Sequence, residues 1–335
     1  MVAAALVLAA CGGSAHRRVS APRATTTTTA AAVTTTAAPV TEPPTSAAPP
    51  PAPPTPATLG PLPAAITTPN GVTLRVTGRA AGGADAYTVT MPCGDTATAH
   101  GTPTTPPAIV LDPGHGGREM GAISPTGLAE KTVNLAVAQQ AKAALEQAGV
   151  ATVLTRAGDY GMTLTERAQL TLALKPKAFV SLHHNSEPDG PFDRPGSETY
   201  YQIGNGQSKR LAGLIYEEVV KALHQYDNQV SWVADTDAGA KYRPGQSGGD
   251  YYAVLRQTHG VPAALAELAY ISDPAEAQLL ARPDVQKTEG QAVARGIIRY
   301  LSTDDPGSGF TTPYPRTEPA GGGGGPQGCV NPPIS

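Results

Sequence analysis

The sequence predicts an α/β protein with a single folded domain, in which a twisted, mostly parallel sheet is flanked by helices. Between residues 107 and 303, short apolar runs alternate with segments of helical periodicity, as in an α/β sheet. Residues 12–64 are mainly Ala, Thr, Pro and Ser, so they bury too little apolar surface to fold and are expected to form a disordered linker. Residues 304–335 are rich in Gly and Pro, which predicts a flexible tail.

The expected elements of the folded domain follow from periodicity and from capping residues. Helices are predicted over 133–148, ending at Gly149, and over 208–223. Thr163 with Glu166 fits a capping box, and Asp273 followed by proline fits an N-cap, so two further helices are expected to begin there. Strands are predicted over six short apolar runs: 108–111, 151–155, 178–182, 198–201, 230–234 and 263–271.

The first eleven residues form a short apolar run that ends in Ala-Ala-Cys11, a run too short to span a bilayer. It resembles a bacterial lipoprotein signal, in which Cys11 becomes the lipid-bearing first residue of the mature protein. An ordinary cleaved secretory signal is the alternative, and no Lys or Arg precedes the run. Both interpretations predict export to the cell envelope, and a lipid on Cys11 would anchor the protein to the outer face of the cytoplasmic membrane.

Residues 65–106 are expected to form a small β segment packed on the main domain. Two runs, 72–76 and 87–91, alternate apolar with polar residues and are bounded by turn formers, which favours a hairpin-like pair of strands. If Cys11 carries a lipid, Cys93 and Cys329 remain as one pair in an oxidising compartment. A disulfide between them and two unpaired thiols are both compatible with the sequence.

Charge excludes one class of partner. The formal net charge is -3 and the pI is about 6.2, and the Lys and Arg residues are scattered along the chain. Proteins that bind nucleic acid usually concentrate positive charge on one face. We therefore expect no nucleic-acid partner.

Two predicted strands end in histidines. The strand 108–111 runs into a turn that presents His115 between glycines, and the strand 178–182 runs into His183 and His184. Parallel strands of an open α/β sheet present their carboxyl ends at one edge, where ligands bind. A catalytic zinc site uses three protein ligands and leaves a position open for water. Successive residues of a strand point to opposite faces, so only one of His183 and His184 should face such a site. The alternative for each histidine is a polar side chain that caps the sheet edge.

Two glutamates extend this set. Glu130 begins the helix that follows the glycine-rich loop, within reach of the same sheet edge, although a glutamate in a first helical turn is also favoured by the helix dipole. Glu267 lies inside the otherwise apolar strand 263–271, where a carboxylate needs a partner or a chemical task. A buried ion pair with an arginine such as Arg256 is the alternative for Glu267.

The sequence contains four stretches whose order and spacing resemble the N-acetylmuramoyl-L-alanine amidases of the zinc-dependent amidase 3 family: IVLDPGHGG, AEKTVNLAVA, FVSLHHNS and AELAYISDPAEAQLL. The resemblance covers residues 108–301. It implies that His115, Glu130 and His183 bind Zn²⁺ and that Glu267 is the catalytic carboxylate. His184 stands where the family often has a small residue, and Glu119 where it commonly has aspartate, so neither receives a metal-binding role.

The resemblance also implies the reaction, which is hydrolysis of the amide bond between N-acetylmuramic acid and L-alanine in peptidoglycan. We expect a monomer that is active without a partner, because the segments between His183 and Glu267 look too short for the occluding helical insertion of regulated family members. One alternative is a zinc carboxypeptidase-like peptidase, but Arg118 occupies the glutamate position of that class's His-x-x-Glu motif. The other is a non-catalytic wall-binding lipoprotein, which the retention of all four site residues disfavours.

Overall fold

A computed structural model describes residues 60–186, 196–230, 239–312 and 328–335. The predicted signal 1–11, its Cys11 and nearly all of the linker 12–64 lie outside these residues, as does the predicted strand 230–234 apart from Val230. Within the described ranges, no helix combines the length and the apolar character that a bilayer crossing requires.

Residues 65–103 form a five-stranded antiparallel sheet rather than the single hairpin that the sequence predicts. The strands lie in the spatial order β4-β3-β2-β1-β5. Only β2 and β3 were expected, because β1 and β5 have two or three residues and β4 is a polar TATAH run with one buried residue, Ala99. The five strands are β1 (Ala65–Thr67), β2 (Thr73–Arg79), β3 (Ala86–Thr90), β4 (Thr96–His100) and β5 (Thr102–Pro103).

The main domain is built on a six-stranded sheet in the order β10-β9-β11-β8-β6-β7. Every neighbouring pair is parallel except β9 and β11, which confirms the predicted mostly parallel sheet. Five of the six predicted strands are confirmed, and β8 continues through the histidine pair to Asn185. The six strands are β6 (Ile109–Pro113), β7 (Thr152–Leu154), β8 (Ala178–Asn185), β9 (Glu198–Tyr201), β10 (Gly239–Lys241) and β11 (Ala263–Tyr270).

Helices cover both faces of this sheet. On one face α1 and α3 each pack against α6 over a large apolar core, and on the other α2 and α4 pack together beside the small sheet. The helices are α1 (Glu130–Gln147), α2 (Leu164–Leu174), α3 (Gly206–Leu223), α4 (Ala253–Gln257), α5 (Pro274–Leu280) and α6 (Pro283–Ser302). The predicted α/β domain with flanking helices is therefore confirmed.

The capping residues act largely as the sequence indicates. Asp273 accepts hydrogen bonds from the backbone N–H groups of Ala275 and Glu276 at the start of α5, both at 2.8 Å. Thr163 accepts from the Glu166 N–H at 3.1 Å, but the Glu166 side chain pairs with Arg75 of β2, so only half of the capping box forms. The 20-residue helix α6 was not predicted. It begins at Pro283, two residues after Ala281, the C-cap of α5, and it has no side-chain cap. The proline at its first position was the local sequence signal that separates it from α5.

The small sheet and the chain's tail are joined covalently. Cys93 and Cys329, 236 residues apart, form a disulfide with a Cα–Cα distance of 5.6 Å. The Asn331 side chain accepts a hydrogen bond from the Cys93 N–H at 2.9 Å. Nearer the main domain, Phe310 pairs with Ala240 in a parallel bridge. Two pieces of the tail thus contact the folded body. Of the two alternatives for Cys93 and Cys329, the structure contains the disulfide.

Candidate metal and catalytic site

The loop after β6 places His115 in an uncommon backbone conformation. His115 has φ of +60°, in the left-handed region that residues other than glycine rarely adopt. Two buried arginines hold the loop's carbonyl oxygens. Arg167 donates to Pro113 O at 2.8 Å and to His115 O at 2.6 Å, and Arg156 donates to Gly114 O at 2.8 Å. Charge-assisted hydrogen bonds of this kind offset the local strain and aim the imidazole into the site.

Glycines in this loop make room for the site's side chains. A Cβ atom on Gly114 would lie 2.1 Å from the His183 ring, and one on Gly121 would lie 2.4 Å from Glu130 Oε2. No larger residue fits at either position without displacing these side chains. The glycine-rich motif is therefore explained by close approach as well as by backbone freedom.

His115, Glu130 and His183 come together in one cluster. Glu130 is the first residue of α1 and is buried. Its Oε2 lies 3.0 Å from His115 Nε2, and its Oε1 lies 3.0 Å from His183 Nδ1. One ligand atom from each residue lies within 4.8 Å of the other two. Zinc bonds of 2.0 to 2.2 Å in a tetrahedron place ligand atoms about 3.4 Å apart, so the donor types and the spacing both fit a zinc ion.

The protonation of the cluster also fits a cation. Burial raises the pKa of Glu130, but hydrogen bonds from His115 and His183 outweigh it and hold that pKa well below its usual value. Burial lowers the pKa of His115, but hydrogen bonds from Glu119 and Glu130 raise it to about 9. Burial lowers the pKa of His183. The Glu130 carboxylate is therefore ionised, and a protonated His115 imidazole balances its charge. A bound cation could replace that proton as the positive charge beside Glu130.

The His184 side chain lies on the opposite face of β8 from His183 and does not join the cluster, although the His184 backbone N–H donates to Glu130 Oε1 at 3.2 Å. Its ring is buried, with Nδ1 2.7 Å from Asn134 Oδ1. Asn134 in turn donates from Nδ2 to Glu130 Oε1 at 3.1 Å. His184 therefore orients the amide that holds Glu130, which agrees with the expectation that only one histidine of the pair faces the site.

Glu267 lies in register with His183 on β8 and with Glu198 on β9, so the three side chains share one face of the sheet. It is 9% exposed, and its Oε2 has no hydrogen-bond partner within the described ranges. Burial raises its pKa well above the usual value, and the negative charges of Glu130 and Glu198 add to the rise. A buried carboxylate in this setting has an oxygen available for chemistry.

The ion pair considered for Glu267 does not form. The Arg256 guanidinium donates instead to the backbone oxygens of Asp250 and Tyr251, at 2.7 and 2.9 Å. Arg256 is therefore occupied in fixing the segment before α4.

Several buried charges that support the site were not singled out in the sequence. Asp112, near the end of β6, accepts from Arg167 at 2.6 Å. Burial raises the pKa of Asp112, but the Arg167 charge together with hydrogen bonds from Thr155, Arg167 and Ser181 lowers it below its usual value. Glu198 accepts from Lys241, Tyr200 and Asn185, at 2.5, 2.7 and 2.9 Å. The available signals were an acid near the end of an apolar strand for Asp112 and an acid at the first position of a strand for Glu198.

A cavity of about 340 Å³ opens above these residues. His115, His183 and Glu267 line it, and Tyr251 and Tyr252 from the segment before α4 line it as well. Ligand pockets in proteins range from about 300 to 1,000 Å³. The site is therefore a cavity in which a substrate segment can contact the metal-ligand cluster and Glu267 together.

Comparison with known proteins identifies relatives of this domain. The family described as N-acetylmuramoyl-L-alanine amidase matches residues 109–299. An uncharacterized protein of Bacillus subtilis, YqiI, is 31% identical over 194 residues, covering 57% of this chain and 84% of that protein. The N-acetylmuramoyl-L-alanine amidase AmiC of Neisseria meningitidis is 30% identical over 227 residues, covering 59% of this chain and 53% of that protein. The match thus spans about half the length of AmiC.

A solved structure agrees with the sequence relatives. The N-acetylmuramoyl-L-alanine amidase of Clostridium difficile 630 superposes with a TM-score of 0.50 at 27% identity, covering 59% of this chain and 97% of that chain. The family match covers more than half of the present chain, from β6 to the last turn of α6. The chain therefore belongs to the N-acetylmuramoyl-L-alanine amidase family, as its four sequence motifs indicated.

Proposed function

We propose that the chain is an exported, zinc-dependent cell-wall hydrolase that cleaves the amide bond between N-acetylmuramic acid and L-alanine in peptidoglycan. The observation that carries this proposal is the placement of Glu267 beside His183 on one face of the sheet, next to the cluster of His115, Glu130 and His183. Family membership supplies the substrate class and disfavours the carboxypeptidase-like and non-catalytic alternatives.

His115, Glu130 and His183 are proposed to hold Zn²⁺. A zinc ion bound there lowers the pKa of a water molecule towards neutrality and polarises the amide oxygen. Asn134 keeps the Glu130 carboxylate oriented through its 3.1 Å hydrogen bond, and Arg167 keeps the His115 backbone in place. These contacts preorganise the three side chains before substrate arrives.

Glu267 is proposed to move the proton. Its Oε2, which no hydrogen bond occupies within the described ranges, accepts a proton from the attacking water and then donates it to the nitrogen of the departing L-alanine. Burial and the neighbouring Glu130 and Glu198 carboxylates raise the pKa of Glu267. A raised pKa makes the carboxylate a stronger base towards the attacking water and keeps the proton on Glu267 until the amine departs.

The proposal also includes export, a lipid anchor and action as a monomer. Residues 1–11 act as an export signal, with Cys11 as the lipid-bearing residue, and the linker 12–64 spaces the catalytic domain from the membrane. The domain acts as a monomer on peptidoglycan without an activating protein. Radiolabelled palmitate incorporated into the wild type and absent from a Cys11→Ser variant tests the anchor.

Mass spectrometry of purified peptidoglycan after digestion tests the activity. We expect free stem peptides that begin with L-alanine, together with glycan strands whose N-acetylmuramic acid has lost its peptide. A chelator should abolish both products, and added Zn²⁺ should restore them. Cleavage within the stem peptide or between sugars would contradict the proposed bond, and full activity in the presence of the chelator would contradict the metal.

A further inference from the structure

A second cavity, of about 670 Å³, lies beside the loop that carries His115. Its walls come from the loop residues Gly117 and Arg118, the segment 157–160, the turn at Asn70 and the tail residues 330–333. We call it the tail cleft. His115 and Glu119 of the same loop line the catalytic cavity, so the two cavities are neighbours on one loop.

The tail wall of this cleft is fixed in place. The disulfide between Cys93 and Cys329 ties the tail to the small sheet. Asn331 then accepts from the Cys93 N–H at 2.9 Å, and Asn70 donates to Pro333 O at 3.3 Å. A wall held by a covalent bond and by hydrogen bonds loses little conformational entropy when a ligand binds against it.

The charge within the cleft is uneven. Asp159 is already engaged, because its Oδ2 accepts from Lys131 and its Oδ1 from the Gly117 N–H, at 2.7 and 2.8 Å. Arg118 is exposed, and no carboxylate in the described part of the chain pairs with it. A guanidinium group binds a carboxylate through two parallel hydrogen bonds. The tail cleft therefore presents a positive group suited to an anionic ligand.

We propose that the tail cleft binds the stem peptide of peptidoglycan, with Arg118 recognising a carboxylate of that peptide. The proposal rests on the proposed function, because the stem peptide extends from the amide bond to be cleaved, and the tail cleft adjoins the catalytic cavity on the same loop. Stem peptides carry free carboxylates, which the glycan backbone lacks once the lactyl groups are substituted. The aromatic residue lining the cleft, Tyr160, is 9% exposed and offers little ring face for stacking on a sugar. The cleft therefore favours peptide over glycan.

Kinetics of the full chain on two soluble substrates test this inference. One is N-acetylmuramoyl-L-alanine amide, which has no stem carboxylate; the other continues through γ-D-glutamate and diaminopimelate. Arg118→Gln should raise KM for the longer substrate about tenfold, because it removes one charge-assisted hydrogen-bonding group. Its KM for the alanine amide and both kcat values should stay unchanged. Lys287→Gln, which removes an exposed positive charge on α6, serves as the control.

Freeing the tail gives an independent variant. Cys93→Ser/Cys329→Ser should also raise KM for the longer substrate and leave KM for the alanine amide unchanged. Circular dichroism and zinc content establish that this variant is folded. Equal effects of Arg118→Gln on both substrates, or no effect on either, would overturn the proposal.

A binding measurement that does not depend on hydrolysis tests this inference separately from the proposed function. Calorimetry with the Glu267→Gln protein should show that the free tripeptide L-alanyl-γ-D-glutamyl-diaminopimelate binds, and that Arg118→Gln weakens the binding about tenfold. Binding of the N-acetylglucosamine–N-acetylmuramic acid disaccharide in its place would overturn the peptide assignment. If the wild type hydrolyses neither soluble substrate nor whole peptidoglycan, the proposed function fails, and the calorimetry still decides what the tail cleft binds.

Discussion

Two buried glutamates differ in the charged groups that surround them. Glu166 lies where α2 meets the small sheet, and Glu267 lies on β11, an interior strand of the main sheet. Glu166 receives two hydrogen bonds from Arg75, at 2.9 and 2.8 Å. Glu267 has an oxygen without a hydrogen-bond partner in the described ranges, and it lies near the carboxylates of Glu130 and Glu198. Both acids are buried, but in the described part of the chain only Glu166 forms an ion pair with a cationic side chain.

The pKa values of Glu166 and Glu267 reflect the same difference in their surroundings. Burial raises the pKa of both carboxyls; Arg75 opposes the rise at Glu166, whereas Glu130 and Glu198 add to it at Glu267. A paired buried acid joins two parts of a fold. A buried acid that lies beside other carboxylates and forms no ion pair within the described ranges is costly to ionise, and such acids are frequent at functional sites. The comparison therefore favours a structural role for Glu166 and supports the proposed proton-transfer role of Glu267.

The largest effect is expected from removing the two histidines of the cluster beside Glu267. His115→Ala/His183→Ala should lose zinc and all measurable hydrolysis, because one carboxylate cannot hold the ion alone. Elemental analysis of the folded fraction measures the metal. His259→Ala, at a side chain that is 59% exposed, is the matched control and should keep both. Full zinc occupancy in the double variant would remove these residues from the metal site.

Glu267→Gln gives the next largest effect and tests the comparison directly. Turnover should fall by about two to four orders of magnitude, because the amide cannot accept the proton. Zinc content and the free energy of unfolding should change little, since no partner charge is left alone. If Glu267 were part of an ion pair, the variant would instead lose about 3 to 5 kcal/mol of stability. Thermal unfolding, zinc content and hydrolysis on one preparation separate the outcomes, and near wild-type turnover would exclude Glu267 from the mechanism.

Asn134→Ala tests whether the residues behind Glu130 position it. The change removes the hydrogen bond to Glu130 Oε1 and should weaken zinc affinity about 10- to 100-fold, the usual range for residues that orient a metal ligand. Competition with a chelator of known affinity measures the change. Thr132→Ala, exposed on the same helix, should leave the affinity unaltered. Equal affinities in the two variants would contradict the positioning role.

Zinc affinity should also depend on pH through His115. Metal binding requires the neutral imidazole, and in the metal-free protein the pKa of His115 is raised to about 9. Affinity should therefore rise about tenfold per pH unit below that value and level off above it. Titrations at several pH values, with the proton release measured in buffers of different ionisation enthalpy, check this. Affinity that stays constant between neutral pH and 9 would contradict it.

The smallest effect is expected at Glu166. Arg75→Ala leaves the buried carboxylate unpaired, and the free energy of unfolding should fall by about 1 to 3 kcal/mol. The loss is less than for a fully buried pair, because the Arg75 side chain is 22% exposed. Zinc content and turnover below the melting temperature should not change. Arg75→Ala/Glu166→Ala should recover part of the lost stability, and a loss of zinc in either variant would show that the two regions are coupled.

The sequence by itself determined the alternation of strands and helices, most strand positions and the motifs of the family. These features are local, because burial on a sheet and capping of a helix leave their pattern within a few neighbouring residues. Alternation along one strand was also enough to predict that only one residue of His183 and His184 faces the site. The four residues proposed for chemistry could be chosen before any coordinates were known.

Tertiary structure decided which buried charges are paired and which are not. Nothing near Glu267 in the chain reveals that Glu198 stands beside it, or that Arg256 turns away to backbone oxygens. Arg75 and Glu166 are 91 residues apart, and Cys93 and Cys329 are 236 apart. Such partners are selected by the packing of whole elements, and the energy of a buried charge depends on those partners. The ion pair of Glu166, and the carboxylates that surround Glu267 in its place, therefore became visible only in the folded chain.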